Sequence, residues 1–514
     1  MRYVDLASAI DVLESNWVDG KELEIAGLAY HSGKVSAGDL FVCIKGYKTD
    51  GHLYLPQAVE RGAVAAVVEE FRPDVDLPQF RVQDSRVALA ALADMLYGHP
   101  SRGLKVIGIT ATNGKTTTSF MTNAVLEKQG LKTGLIGTVI VKVGNVMRPA
   151  VLTTPESLDL HHLFAQMGKQ DVTHVTMEVS SSALELFRVG NVAYHIVAIN
   201  NISREHIDLH GSFENYFKAK AKLTREAGPE QWAIFNLDCP YSASLVSETQ
   251  AKVITYGMKN ANGHLWVKNL DLSSGRGRFT VEIMKPFATE NRVYEPQQFE
   301  IELSVLGLHT VYNSMVAVIT GLLYEIPITT IQAALLEFRG VERRFELIYE
   351  NDFKIIDDHF ANSGNINVTL ETLQFMRYRK LLVVYAIRGS RGPTVNRESA
   401  EALATWAPKL GIREVIATTS VSHVTEKDVV TDEEIAVFME VMATAGIQVQ
   451  LYAELPEAIS RGLSQLEHDD VMLLAGCQGM DPGARITLEQ LSLLRPYLER
   501  EKLFGSLQNR VAGM

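Results

Sequence analysis

Lys105-Val106-Ile107-Gly108-Ile109-Thr110-Ala111-Thr112-Asn113-Gly114-Lys115-Thr116-Thr117 decides how this chain is read. The apolar run up to Thr110 predicts a buried strand, the middle a Gly-containing loop, and the part from about Lys115 a helix. That order is what a phosphate loop requires: backbone N–H groups and the positive helix end surround the anion. Thr112, Asn113 and Gly114 would form the cradle, and Lys115 would neutralise terminal phosphates. Thr116 or Thr117 would present a hydroxyl to Mg2+. The common spelling of such loops has Gly at position 109, where this chain has Ile109. A bare Gly-Lys-Thr also fits an ordinary turn, so the surrounding pattern must carry the reading.

Outward from the loop, 514 residues are too many for one hydrophobic core, so several domains are expected. Strands at Leu40 to Ile44 and Val64 to Val68, with a helix near Tyr54 to Arg61, make the first hundred residues a small α/β unit. His99 to Gly103 reads as a linker. Thr173 to Glu178 and His195 to Asn200 read as buried parallel strands, and Leu265 to Phe299 as an antiparallel insertion. A third unit starts near Gly340, with strands at Phe353 to Asp357, Lys380 to Tyr385, Glu414 to Thr418 and Val471 to Gly476. The expected boundaries are 1–100, 101–338 and 339–514, all α/β.

The apolar fraction of 46% and charged fraction of 21% are those of an ordered globular chain. A net charge of −12 argues against a general nucleic-acid binder. No apolar run approaches the roughly 18–20 residues that span a bilayer, and the acidic start is unlike a signal peptide. Cys43, Cys239 and Cys477 are too far apart for a metal pattern or disulfide framework. A cytoplasmic protein without membrane insertion is expected. A monomer is expected too, with a homo-oligomer left open.

Four further stretches follow in order. They are Thr153-Thr154-Pro155-Glu156, Met177-Glu178-Val179-Ser180-Ser181-Ser182-Ala183-Leu184, Asn201 to Gly211 with Arg204, His206 and Asp208, and Tyr216 to Lys220. Singly each has a plain reading: Glu178 as a helix-start acid, His206 as a buried hydrogen-bonded ring, Lys220 as a surface charge. Together with the loop they resemble the TTPE, MEVSSHAL, NLTRDHLDYHG and YFAAKA signatures of the Mur ligases, in particular the muramyl-tripeptide synthetases. The loop itself resembles that family's GTNGKT, with Ala111 in place of Gly.

The resemblance implies a central P-loop ATPase domain with a parallel sheet. A small N-terminal UDP-binding domain and a C-terminal Rossmann-like domain would flank it. It implies ATP and Mg2+, with Thr116, Glu178, His206 and Lys220 around the metal and Lys220 carrying a CO2-derived carbamate. Lys115, Glu178, His206 and Lys220 would be catalytic. Thr153, Thr154, Ser180 and Arg188 would contact a UDP-muramoyl peptide, and Ser32 is what remains of a uridine-contacting DSR. Asn313, Arg344 and Asp357 would approach the nucleotide.

The third unit departs most from the family. DNPR is replaced by Thr418-Thr419-Ser420-Val421-Ser422-His423, and GKGHE by Gly476-Cys477-Gln478-Gly479-Met480-Asp481. Ser182 replaces the His of MEVSSHAL. Loss of the DNPR arginine removes a carboxylate clamp worth roughly 2–5 kcal/mol when buried. Arg391, in the stretch resembling the family's GDR, or Arg388 would replace it. The function implied is an ATP-dependent amide-bond ligase with a rewritten amine pocket, working on small molecules: ATP, a UDP-muramoyl peptide or similar acid, and an amino acid or amine. The competing readings are the same chemistry on a non-muramoyl acid, and a non-catalytic nucleotide-binding scaffold. A P-loop GTPase or kinase would explain nothing after residue 150.

Overall fold

The computed structural model describes residues 3–17, 23–46, 49–203, 210–507 and 510. His206, with Arg204 and Asp208 of the same signature, lies outside them. By compactness the chain falls into two units. One comprises Met1–Ala111, Gly130–Phe235 and Tyr241–Val253; the other comprises Thr112–Gln129, Asn236–Pro240 and Ile254–Met514.

The first unit begins with α1 (Tyr3–Ala9), β1 (Glu14–Ser15), β2 (Gly27–Ala29), β3 (Asp39–Val42), α2 (Leu55–Glu60), β4 (Ala65–Val68), β5 (Gln79–Arg81) and α3 (Ser85–Leu96). The spatial order is β1-β5-β4-β3-β2, with only β1 antiparallel to its neighbour. β3 and β4 are buried along their whole length, which is why they read as continuous apolar runs rather than alternating ones. The stretch expected to be a linker is a packed turn instead. His99 sits in the left-handed region (φ 57°), Pro100–Gly103 form a 3-10 turn, and the buried Ser101 hydroxyl accepts from Ala193 N–H at 3.0 Å.

β6 (Lys105–Thr110) leads to α4 (Lys115–Lys128), the start of the second unit's share. The first unit resumes with β7 (Thr133–Ile136), β8 (Ile140–Val143), β9 (Val146–Pro149), α5 (Ser157–Lys169), β10 (His174–Glu178), α6 (Ser181–Glu185), β11 (Tyr194–Ile199), α7 (Phe213–Arg225) and β12 (Trp232–Asn236). These strands lie in the order β9-β8-β7-β10-β6-β11-β12. β7, β10, β6, β11 and β12 run parallel, and β8–β9 is an antiparallel edge hairpin. Glu178 registers against Ile109, so the carboxyl ends of β10 and β6 are level.

In the second unit β13 (Lys252–Gly257) is followed by β14 (Leu265–Asp271), β15 (Arg276–Ile283), the short pair β16 (Phe287–Ala288) and β17 (Val293–Tyr294), and β18 (Gln297–Leu306). β14, β15 and β18 form the antiparallel meander their alternation predicts. α8 (Leu308–Leu323) and α9 (Ile328–Glu337) pack on α4, with Lys128 and Glu337 paired at 2.8 Å.

The last third is a six-stranded sheet: β19 (Glu346–Glu350), β20 (Lys354–His359), α10 (Ser363–Phe375), β21 (Leu381–Ala386), α11 (Pro393–Leu410), β22 (Glu414–Thr418), α12 (Asp432–Thr444), β23 (Gln448–Tyr452), α13 (Leu455–Ser464), β24 (Val471–Gly476) and α14 (Gly483–Leu494). The order is β19-β20-β24-β21-β22-β23, parallel except β19. α10, α11 and α12 cover one face around Leu370, Leu403 and Phe438; α13 and α14 cover the other around Ile459, Met472 and Leu488. The chain steps outward from β20 to β23 along the first face, then returns by α13 to insert β24 between β20 and β21. The loops after β20 and β21 therefore lead to one face and the loop after β24 to the other. The crevice between them is a topological switch point, where open α/β sheets bind ligands.

Candidate functional site

In the loop, Gly114 takes φ 88°, and a Cβ there would lie 2.5 Å from Asn313 Oδ1. The loop thus wraps against the buried Asn313 near the start of α8. Thr118 Oγ1 donates to Gly114 O at 2.8 Å, and Thr116 and Thr117 are buried in the first turn of α4. Lys115 bends back over the loop, its Nζ donating to Thr112 O at 3.0 Å. Asn113, Gly114, Lys115 and Asn313 are thereby brought together. A residue not singled out by sequence joins them: Asn365 Nδ2 donates to Asn113 Oδ1 at 2.7 Å. Asn362 caps α10 by accepting from Asn365 N–H, which fixes Asn365 in the first turn. Turn chemistry marks this helix start, but no local signal names a partner 252 positions away.

Within the first unit, a polar cluster forms at the carboxyl end of β10. Glu178 is fully buried; one carboxylate oxygen accepts from Thr138 N–H (2.8 Å) and the other from Thr138 Oγ1 (2.9 Å). Thr138 Oγ1 also lies 3.1 Å from Thr153 Oγ1. Thr154 Oγ1 donates to Glu178 O (2.9 Å), and Ser180 N–H donates to Thr154 Oγ1 (3.1 Å). Ser180 caps α6, and its hydroxyl is 3.2 Å from that of Ser182. Arg188 pairs with Glu156 at 2.8 Å and reaches Thr154 O at 3.4 Å. So Thr153, Thr154, Glu178, Ser180 and Arg188 converge. Thr138, which orients Glu178, was not anticipated, and Glu156, the last residue of the TTPE-like stretch, holds Arg188, a role the sequence did not give it. Ser32, in the N-terminal sheet's 3-10 turn, gives its hydroxyl to Gln57 at 2.6 Å.

Lys220 is 1% exposed, not the surface charge that its position on an amphipathic helix allows. Its Nζ donates to Thr110 Oγ1 (3.1 Å) and Ala111 O (2.8 Å) and lies 5.1 Å from the Tyr216 ring centre. The amine is thereby fastened to the residues on which β6 ends and the loop toward α4 begins. Lys218, by contrast, pairs with Glu214 in solvent.

In the third sheet two neighbouring arginines differ in burial. Arg343, not Arg344, is buried, at φ 55°, and binds Asp357, Asp481 and the carbonyls of Gly476 and Cys477. Arg344 is half-buried. Asp357 is fully buried, one oxygen held by Arg343 and the other by Arg510. Arg391 is exposed and faces Asp428 at 3.4 Å. Burial pushes the Glu346 carboxyl up to about 7 despite Arg510 beside it.

The chain matches three family models in succession: the Mur ligase family catalytic domain over residues 24–97, the Mur ligase middle domain over 109–321, and the Mur ligase glutamate ligase domain over 343–478. It is 36% identical over 483 residues to the UDP-N-acetylmuramoyl-L-alanyl-D-glutamate–2,6-diaminopimelate ligase of Geobacillus thermodenitrificans, covering 92% of this chain and 94% of that one. The chain belongs to the Mur ligase family. The Bacillus velezensis ligase of the same name is 37% identical over 391 residues, 74% of this chain and 77% of that protein.

Solved structures share the fold of this Mur ligase. A UDP-N-acetylmuramoyl-L-alanyl-D-glutamate–2,6-diaminopimelate ligase superposes with TM-score 0.64 at 21% identity, covering 89% and 91% of the two chains. MurF ligase from Thermotoga maritima, in complex with ADP, gives 0.60 at 18%, covering 94% and 99%. The three-domain α/β architecture expected from sequence is thus that of the family. Among the described residues no helix is long and apolar enough to cross a membrane.

Proposed function

We propose that this Mur ligase couples ATP hydrolysis to amide-bond formation between the carboxylate of a UDP-muramoyl peptide and an amine, in the cytoplasm. A carboxylate oxygen of the acceptor attacks the γ-phosphorus and the bond to ADP breaks. The amine nitrogen then attacks the acyl carbon, phosphate leaves, and the nitrogen loses a proton. The first step supplies the leaving group that a free carboxylate lacks.

The observation that carries this reading is the convergence at the end of β6. Lys220 is tied to Thr110 and Ala111, on which β6 ends, and Glu178 registers one residue earlier on the adjoining strand. Lys115 offsets phosphate charge, and the loop N–H groups orient it. Glu178, a carboxylate anchored by Thr138 at a strand end, fits the hard oxygen donors Mg2+ takes. With Thr116, His206 and a Lys220 carbamate it would hold the ion, which supplies charge neutralisation at the phosphates. Thr153, Thr154, Ser180 and Arg188 would receive the muramoyl peptide, with Ser32 at the uridine. Thr112, Asn113, Gly114, Thr117, Asn313, Arg344 and Asp357 belong to the nucleotide side. The domain boundaries we assign are 1–100, 101–338 and 339–514.

Phosphate release is the test. With ATP and Mg2+, release should require a UDP-muramoyl dipeptide and rise further with a suitable amine, and mass spectrometry should find the joined product. Release indifferent to every acceptor would sink the ligase reading.

A further inference from the structure

The parallel strands of the first unit have a second end, away from Thr110 and Glu178, and a cleft lies there that the proposed reaction does not use. Its volume is about 210 Å³, and residues 101–105 and 193–195 line it. β6 spans the distance between the two ends. Lys105, its first residue, lines the cleft, and Thr110, its last, is about 16 Å away at the rise of a parallel strand.

Positive groups gather across these strand starts. His174 of β10 registers directly against Lys105. On the other flank of β6 the register slips: Tyr194 meets Val106 and Ile196 meets Ile107, so His195 is an extra residue in a bulge. Bulges are rare in parallel pairs, and they re-aim a side chain out of the regular alternation. Farther along the sheet Lys252 begins β13, its Nζ 5.9 Å from the Trp232 ring centre. Burial holds the His195 ring down to about 4, and the charges that add to the effect are all positive: Lys105, protonated His174 and Lys252. Of the acids on these elements, Glu230 pairs with Lys252 and Asp171 with Lys132, each at 3.4 Å, and Glu226 acts on the Tyr194 hydroxyl. Arg102 and Lys105 are exposed and have no carboxylate partner among the described residues.

Such a cluster stands out on a chain whose net charge is −12. Like charges gathered this way repel, and a bound anion offsets the repulsion where a metal cation would add to it. We infer that this cleft is an oxyanion site that takes a phosphate group, with Arg102, Lys105 and His195 as its donors. The assignment is independent of the ligase reading, because binding there needs no turnover. Free phosphate and a small phosphate monoester share the chemistry, and the cleft has room for either.

The experiment uses the full-length protein with isotope-labelled histidine, followed by NMR at pH 6.5. Inorganic phosphate, glycerol phosphate and sodium chloride at matched ionic strength are titrated separately. The His195 ring resonance, assigned by its absence from His195→Gln, should move along a saturable curve with phosphate but not with chloride. Lys105→Met should weaken the phosphate midpoint about tenfold, the loss of one charged hydrogen bond, and Arg102→Met should weaken it as well. Lys105→Arg should restore it, which a folding defect would not allow. Saturation by either phosphate compound supports the site, and the tighter of the two identifies the source of the group. A shift that is linear in phosphate or equalled by chloride overturns the assignment, and so does a midpoint unchanged in both Lys105→Met and Arg102→Met.

Discussion

Two lysines with the same side chain have opposite environments. Lys115 lies over its own loop, where a phosphate would replace the Thr112 carbonyl as its partner. Lys115→Ala should lower turnover by about 100- to 1000-fold, the cost of one preorganised donor, while the far-UV circular dichroism stays unchanged. Wild-type turnover would remove Lys115 from the mechanism. Lys220 is buried against Thr110 and Ala111, where its amine is withdrawn from solvent. Protein equilibrated with 13C-bicarbonate should show one carbamate resonance by NMR, absent from Lys220→Ala. A spectrum without it in wild type would leave Lys220 an unmodified amine. Neither burial nor partner is visible in Tyr216 to Lys220 as a string; only the resemblance separated Lys220 from Lys218.

An element can be right in sequence and still owe its function to a neighbour. β6 and α4 fall where their residues predict, yet the shape of the loop between them depends on Asn313 of α8 and Asn365 of α10. Gly114 is the sensitive point, since its φ of 88° costs other residues roughly 1–2 kcal/mol and its missing Cβ makes room for Asn313. Gly114→Ala should weaken ADP binding by calorimetry about tenfold or more. Adding Asn313→Ala should recover part of the loss; no recovery would mean that the backbone strain acts alone. The third sheet shows the reverse case. β23 and the antiparallel β19 escaped the sequence reading because both are edge strands; β23 is half exposed, without the apolar run of a strand covered on both faces.

For the molecule as a whole, half-buried histidines set the response to acid. Burial holds His174, His195 and His309 down to about 4, and burial with three nearby arginines holds His359 well below its ordinary range. In the unfolded chain these rings take up protons near pH 6.5, so stability is lost as pH falls through the window from 6.5 to about 4. A ring held at about 4 contributes on the order of 3 kcal/mol at most, reduced by the partial solvent exposure that all four rings share. Glu346 works the other way: raised to about 7, it binds its proton first in the native state and adds stability as pH falls from 7 toward 4.5. His161 and His264 are held down as well, and Asp358 and Asp481 are raised like Glu346, so the histidines outnumber the raised acids and leave a net loss. Urea unfolding should show lower stability at pH 5 than at pH 7, with a smaller drop in His309→Gln. An unchanged drop would exclude His309 as a contributor.

Sequence alone determined the strand–loop–helix at Lys105 to Thr117, the parallel strands around it and the three-part α/β order, because apolar periodicity and glycine placement are local properties. It also marked Thr153, Thr154, Glu178, Ser180, Arg188 and Lys220 as one set, through ordered signatures. What tertiary structure decided is which groups are left with donors to give. Arg343 and Arg344 are adjacent in sequence, and so nearly are Arg388 and Arg391, but a carboxylate brought from a distant strand neutralises one of the first pair, and a turn of backbone points one of the second outward. Charge pairing depends on distance through space, and no spacing along the chain records it.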